Sequence, residues 1–158
     1  MNAIILYRLG HAFHKRKMYF VAKTLQNINF LIFNSYIPSS AKIGKGTRFA
    51  YGGIGVVIHK DALIGSDCIL GQGITIGASE GYASNSSNKA PIIGDNCYVS
   101  AGSKIIGDVK IGSNSIIGAS SLVNKSFPNN SVVVGIPARL IKKTAVDYKA
   151  IEKNNEDK

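Results

Sequence analysis

Residues 93–123 read IGDNCY VSAGSK IIGDVK IGSNSI IGASSL V, and set out in sixes they place Ile93, Val99, Ile105, Ile111, Ile117 and Val123 in one column. Glycine follows the aliphatic at Gly94, Gly112 and Gly118, and a small or aliphatic residue stands four on, at Cys97, Ser103, Val109, Ser115 and Ser121. A period of six matches neither the 3.6 of a helix nor the alternation of an ordinary strand. It matches a chain that turns a corner every six residues and stacks coil on coil, a parallel β-helix. Each aliphatic points into the coil axis. Coils about 4.8 Å apart then bury a continuous apolar column while their backbones pair. Glycine eases the turn, and the position four on stays small because it sits between walls.

Working outward, the same beat runs through Ile58, Ile64, Leu70 and Ile76, and earlier through Ile37 and Ile43. It breaks twice. Fifteen residues separate Ile43 from Ile58 where twelve would keep phase, so residues 49–57 (FAYGGIGVV) hold a bulge. Seventeen separate Ile76 from Ile93, so residues 78–90 (ASEGYASNSSNKA) leave the wall as a polar loop. Insertions on a repeat body tend to carry function, since the coils themselves can only stack. After Val123 the beat fades into an Asn129-Asn130 turn, a strand over residues 131–134, and Gly135-Ile136-Pro137-Ala138-Arg139, which ends the body. The predicted units are helices over residues 1–36, the coil domain over 37–143, and a polar tail over 144–158.

Residues 2–15 and about 18–34 read as two helices split at Lys15-Arg16-Lys17. Ile5, Leu6, Leu9 and Phe13 are spaced for one apolar face, as are Val21, Leu25, Ile28 and Ile32. Their expected role is a lid over the first coil, because a bare β-helix end exposes unpaired strand edges. The basic cluster adds a second reading, peripheral contact with a membrane.

Composition narrows the rest. The net charge is +10, and residues 1–36 hold five Lys or Arg and no acid. That balance favours anionic partners. No nucleic-acid motif accompanies it. Cys68 and Cys97 share the small inward position of their hexads and read as buried thiols. With these and three histidines, nothing has metal-ligand spacing, so no metal is expected. There is no secretory signal and no membrane-spanning run, and a cytoplasmic protein is expected, with the inner membrane face as the place of any peripheral contact.

The hexads IGDNCY, VSAGSK and IGASSL, followed by VVVGIPARLIKK, resemble the hexapeptide-repeat acyltransferases over residues 37–143. Within them the chain is similar to the serine acetyltransferase branch and its short relatives that O-acetylate sugars of surface polysaccharides. The resemblance implies a mainly β fold, a left-handed parallel β-helix behind a short N-terminal helical segment. It implies a homotrimer with acetyl-CoA in the groove between neighbouring prisms. Ala101, Gly102 and Ala119 would line the pantetheine arm, and Arg139 and Lys142 would meet the phosphates. Two departures stand out. Ala50-Tyr51 occupies the bulge where serine acetyltransferases carry Asp-His, and Ala90 precedes Pro91 where they carry His.

O-acetyl transfer needs a base for the acceptor's proton, and a neutral imidazole suits the task. His59 is the one histidine of the coil body. It follows Ile58 where glycine usually stands, so its side chain is expected to point outward, and Asp61 is placed to orient it. Tyr51, Glu80 and Tyr82 are candidates for gripping the acceptor. The expected function is acetyl-CoA-dependent O-acetylation of a carbohydrate hydroxyl, of a surface polysaccharide or its precursor. The alternatives are serine O-acetylation and a non-catalytic β-helix scaffold.

Overall fold

The computed structural model describes residues 2–78 and 90–143. Helices α1 (Ala3–Lys15) and α2 (Tyr19–Phe33) lead the chain. Four coils of three short strands follow. They are β1 (Lys42–Ile43), β2 (Arg48–Phe49) and β3 (Val57–Ile58); β4 (Leu63–Ile64), β5 (Ile69–Leu70) and β6 (Thr75–Gly77); β7 (Ile92–Ile93), β8 (Tyr98–Val99) and β9 (Lys104–Ile106); β10 (Lys110–Ile111), β11 (Ile116–Ile117) and β12 (Leu122–Val123). A hairpin of β13 (Ser131–Gly135) and β14 (Ala138–Lys143) closes the body.

Strands of like phase pair in parallel and make three walls. The first wall is β1-β4-β7-β10, the second β2-β5-β8-β11-β13-β14 and the third β3-β6-β9-β12. The hexad column lies inside. Ile43, Ile64, Ile93 and Ile111 stack behind the first wall; Phe49, Leu70, Val99, Ile117 and Val133 behind the second; Ile58, Ile76, Ile105 and Val123 behind the third, all buried. Cys68 and Cys97 are buried free thiols one coil apart, as their phase requires. Their hydrogen bond, and then burial, push the Cys97 thiol upward.

Corners between the first and second walls need a left-handed residue each time, and the sequence supplies Gly46, Asp67, Asn96, Asn114 and Asn130. Asp and Asn visit that conformation because a short polar side chain can bond locally. Asn96 Nδ2 donates to Asn114 Oδ1 at 2.9 Å, continuing the ladder in side chains. The first break in the beat is a tight turn over Ala50–Gly53, where the bulge was expected. β14 was missed: the element over residues 135–139, expected to end the body, leads instead into a strand that folds back antiparallel on β13.

The helices lie where predicted, but not with the predicted faces inward. α1 buries Ala3, Tyr7 and Gly10, and α2 buries Ala22, Gln26, Asn29 and Phe33. Ile5, Leu9 and Ile32 are exposed. The reason lies in what the helices cover. The first coil offers backbone groups with no coil beyond it, and these need polar partners. Tyr7 Oη donates to Ala41 O at 2.7 Å and accepts from Ile43 N at 3.2 Å. Arg8 Nη1 and Nη2 donate to Ile43 O and Gly44 O, and Asn2 Nδ2 donates to Phe49 O. The lid is held by these hydrogen bonds together with Ala3, Tyr7 and Phe33, which join the apolar core.

Candidate active site

The corner between the second and third walls is a seam of small residues. Its turns carry Gly55, Gly73, Gly102 and Ser120 in register, all at positive φ. Gly102 has φ +70, and a Cβ there would come within 3.2 Å of Ser120 Oγ. At Gly71 a Cβ would come within 2.5 Å of the Ala101 nitrogen, so glycine is required there for this turn to stack on the next. Backbone bonds tie the coils along the seam: Gly73 N to Ile54 O, Gly102 N to Gln72 O and Ser120 N to Ala101 O, each 2.9 Å. Ala101 is half-buried and Ala119 exposed, with no bulky side chain on either. The three small residues expected to line an extended arm therefore do share one edge.

Arg139 stands at the far end of that seam. Its strand partner is Val134, whose side chain covers Gly118, and Gly135 N donates to Ser121 Oγ at 3.0 Å. Lys142 pairs with Val132, further along the hairpin and away from the corner. Both cations are exposed. Sequence reasoning missed Lys104. It projects from β9 just beyond Gly102, and its Nζ donates to Gly73 O at 3.0 Å and Thr75 Oγ1 at 3.1 Å. Its signal was available: a lysine at the outward position of the hexad VSAGSK. Lys104 and Arg139 place positive charge beside the seam at two heights.

His59 and Asp61 lie on a different corner, between the third and first walls. His59 N donates to Ile76 O at 2.7 Å, which fixes the residue above β6. The backbone N–H of Asp61 donates to His59 Nδ1 at 3.3 Å, and the Asp61 carboxylate lies 3.7 Å from the same nitrogen. The neutral ring in this arrangement carries its proton on Nε2. Lys60 Nζ lies 3.9 Å from the Asp61 carboxylate. Four residues of extended chain separate His59 from Gly55 on the seam, about 13 Å. The structure thus pairs His59 with Asp61, and groups Ala101, Gly102, Ala119 and Arg139 elsewhere. Tyr51 belongs with the second group. It sits in the left-handed turn on the first coil with its ring in solvent. Glu80 and Tyr82 lie outside the described residues. Among the described residues no cluster of His, Cys, Asp or Glu could hold a metal. A groove of about 600 Å³ between α1 and the first wall, lined by His11, His14, Lys15 and Lys42, is remote from the seam.

Residues 90–125 match the model of the bacterial transferase hexapeptide (six repeats) family. The serine acetyltransferase of Staphylococcus aureus strain Mu50 is 36% identical over 146 residues, covering 92% of this chain and 67% of that protein. That of Synechococcus elongatus is 33% identical over 145 residues, covering 92% and 58%. The chain therefore spans from just over half to two thirds of the length of these relatives. Among solved structures, the serine acetyltransferase of Brucella abortus strain S19 in complex with coenzyme A superposes with a TM-score of 0.84 at 32% identity, covering 92% of this chain and 56% of that one. The coiled body here is a left-handed parallel β-helix, as predicted. The carbohydrate acceptor is overturned. These relatives, matched over about nine tenths of the chain, are serine acetyltransferases, and they support that branch rather than closeness to polysaccharide O-acetyltransferases. The missing Asp-His pair drew the sequence reading toward sugars, but a missing residue identifies no acceptor.

Proposed function

Because the chain belongs to the serine acetyltransferase branch of the hexapeptide-repeat transferases, we propose that it transfers acetyl from acetyl-CoA to the hydroxyl of L-serine. The observation that carries this reading is the 36% identity to a serine acetyltransferase across 92% of the chain. The pantetheine arm lies along the seam at Ala101, Gly102 and Ala119, where small side chains let it approach the backbone. Arg139 and Lys104 supply cations for the phosphates, while Lys142, expected to join them, lies away from the corner. The serine oxygen attacks the thioester carbonyl, the C–S bond breaks, and coenzyme A leaves as the thiol. His59 takes the hydroxyl proton. To do so through Nε2 its ring adopts the other tautomer, with Nδ1–H turned to the Asp61 carboxylate. Tyr51, exposed in the turn of the first coil, is the described candidate for gripping the acceptor.

The His59 corner lies a wall's width from the seam of its own chain, so we place the reaction between copies. A homotrimer brings the His59 corner of one prism against the seam of the next. A lysis-free assay of thiol release from acetyl-CoA with L-serine tests the reading. Turnover is expected with serine, and His59→Ala should lower it by about 10²–10⁴-fold. Ala101→Leu should raise KM for acetyl-CoA with little change in kcat. Absence of serine-dependent thiol release, with no rise in melting temperature on adding acetyl-CoA, would return the chain to the scaffold alternative. Unchanged turnover in His59→Ala would remove that residue as the base.

A further inference from the structure

α2 is inverted relative to an ordinary surface helix. Its buried stripe includes Gln26 and Asn29, while Phe20 is 86% exposed and Leu31 80% exposed. That outward side also carries the exposed Lys23, Thr24 and Asn27, so its apolar groups gather at the two ends of the helix, Tyr19 and Phe20 at one and Phe30, Leu31 and Ile32 at the other. Its single charged residue is Lys23. Met18, Tyr19 and Phe20, all exposed, directly follow the exposed cluster Lys15-Arg16-Lys17 at the tip of the helical pair. Phe20 and Leu31 lie three turns apart on one line of the helix, about 16 Å. Phe30 and Ile32 flank the far end.

From this geometry we infer that the α1–α2 pair docks side-on to an anionic phospholipid surface, with the Met18-Tyr19-Phe20 tip and Leu31 among the headgroups and Lys15, Arg16 and Lys17 on the phosphates. Charge selects this occupant. Residues 1–36 carry five Lys or Arg and no acid, so a second copy of the same face brings cations against cations with nothing to pair them. An anionic bilayer satisfies both halves of the surface, the apolar tip and its basic collar. Aromatic side chains favour that interface. The surface-parallel mode fits the helix lengths, since no helix among the described residues is long and apolar enough to cross a membrane. The opposite side of the pair is committed to the first coil, which holds the outer face outward. The inference is independent of the proposed acceptor.

The test is cosedimentation of the full chain with vesicles of phosphatidylcholine alone and of phosphatidylcholine mixed with phosphatidylglycerol, at low and high salt. Binding to the mixed vesicles is expected, weakened by salt and absent with phosphatidylcholine alone. K15Q/R16Q/K17Q should weaken it about a hundredfold, near fivefold per cation. F20S/L31S should weaken it at least about tenfold, with an unchanged melting temperature because both side chains lie in solvent. Failure of the wild-type chain to bind mixed vesicles overturns the inference. So does equal binding to both vesicle types. A smaller particle in sedimentation velocity for F20S/L31S, with vesicle binding intact, would assign the face to a second copy instead.

Discussion

Replacing Tyr7 by Phe removes one oxygen and isolates the hydrogen bonds that seat the lid. The ring of Tyr7 is 2% exposed, and Phe fills nearly the same volume, so packing is preserved. What is lost is the donor to Ala41 O at 2.7 Å and the acceptor for Ile43 N at 3.2 Å. Both belong to the first coil, on the side away from β4, where no further coil can replace the bond. Two buried backbone groups left without partners cost about 2–4 kcal/mol together. For a domain of this length that lowers Tm by roughly 5–15 °C. The effect also has a pH signature. Burial raises the Tyr7 phenol above its ordinary value of 10.0. Above that pH the unfolded chain loses a proton that the folded chain keeps, so Tyr7's contribution is complete below pH 10 and declines as pH rises through the folded value. Urea denaturation of both proteins across pH 7–11 reads this directly: the gap between wild type and Tyr7→Phe should be widest below pH 10 and narrow above it. A gap under about 0.5 kcal/mol at pH 7 would refute the seating role of this hydroxyl. A gap that widens at alkaline pH would refute the sign.

Two further outcomes follow from the same geometry. Cys68 and Cys97 should react with a disulfide reagent only at the rate of global unfolding, because both are buried; fast labelling of the native protein would contradict that. Mixing inactive His59→Ala chains with Ala101→Leu chains, after joint unfolding and refolding, should restore about a quarter of wild-type activity at low acetyl-CoA, the share of interfaces in a randomly mixed trimer that pair an intact seam with an intact histidine. No recovery would place both parts of the site in one chain.

The walls were legible because one rule repeats. Every hexad must bury its aliphatic, and a single residue out of phase would put a side chain through a neighbouring coil. The helix faces were not legible, for a reason the same physics supplies. Reading Val21, Leu25, Ile28 and Ile32 as an inward stripe assumes that the surface beneath is apolar. The surface beneath α2 is α1, which is itself seated on the unpaired peptide groups of the solenoid end by Tyr7, Arg8 and Asn2, and Asn29 of α2 bonds the Ala3 carbonyl there, so the aliphatics are left half or wholly outside. β14 was missed for a related reason: its only regular feature is pairing with β13, and its sequence ARLIKK shows no hexad beat.

For the site, the beat held more than was taken from it. Residues of equal phase stack at one corner whatever their separation in sequence. Gly77 pairs with Ile106, and His59 donates to the carbonyl of Ile76 directly before Gly77, so His59 shares its phase with the third–first corner. Gly55, Gly73, Gly102 and Ser120 share another phase and another corner. Counting along the perimeter alone separates the histidine from the seam, and no rotamer can close a wall's width. If both act on one thioester, the second component must come from outside the chain. The same counting puts Tyr51, in the turn that opens the first coil's second–third corner, on the seam's side. On the proposed reading a single prism would carry two half-sites on different edges, and closed rotational symmetry would let identical prisms complete every one of them.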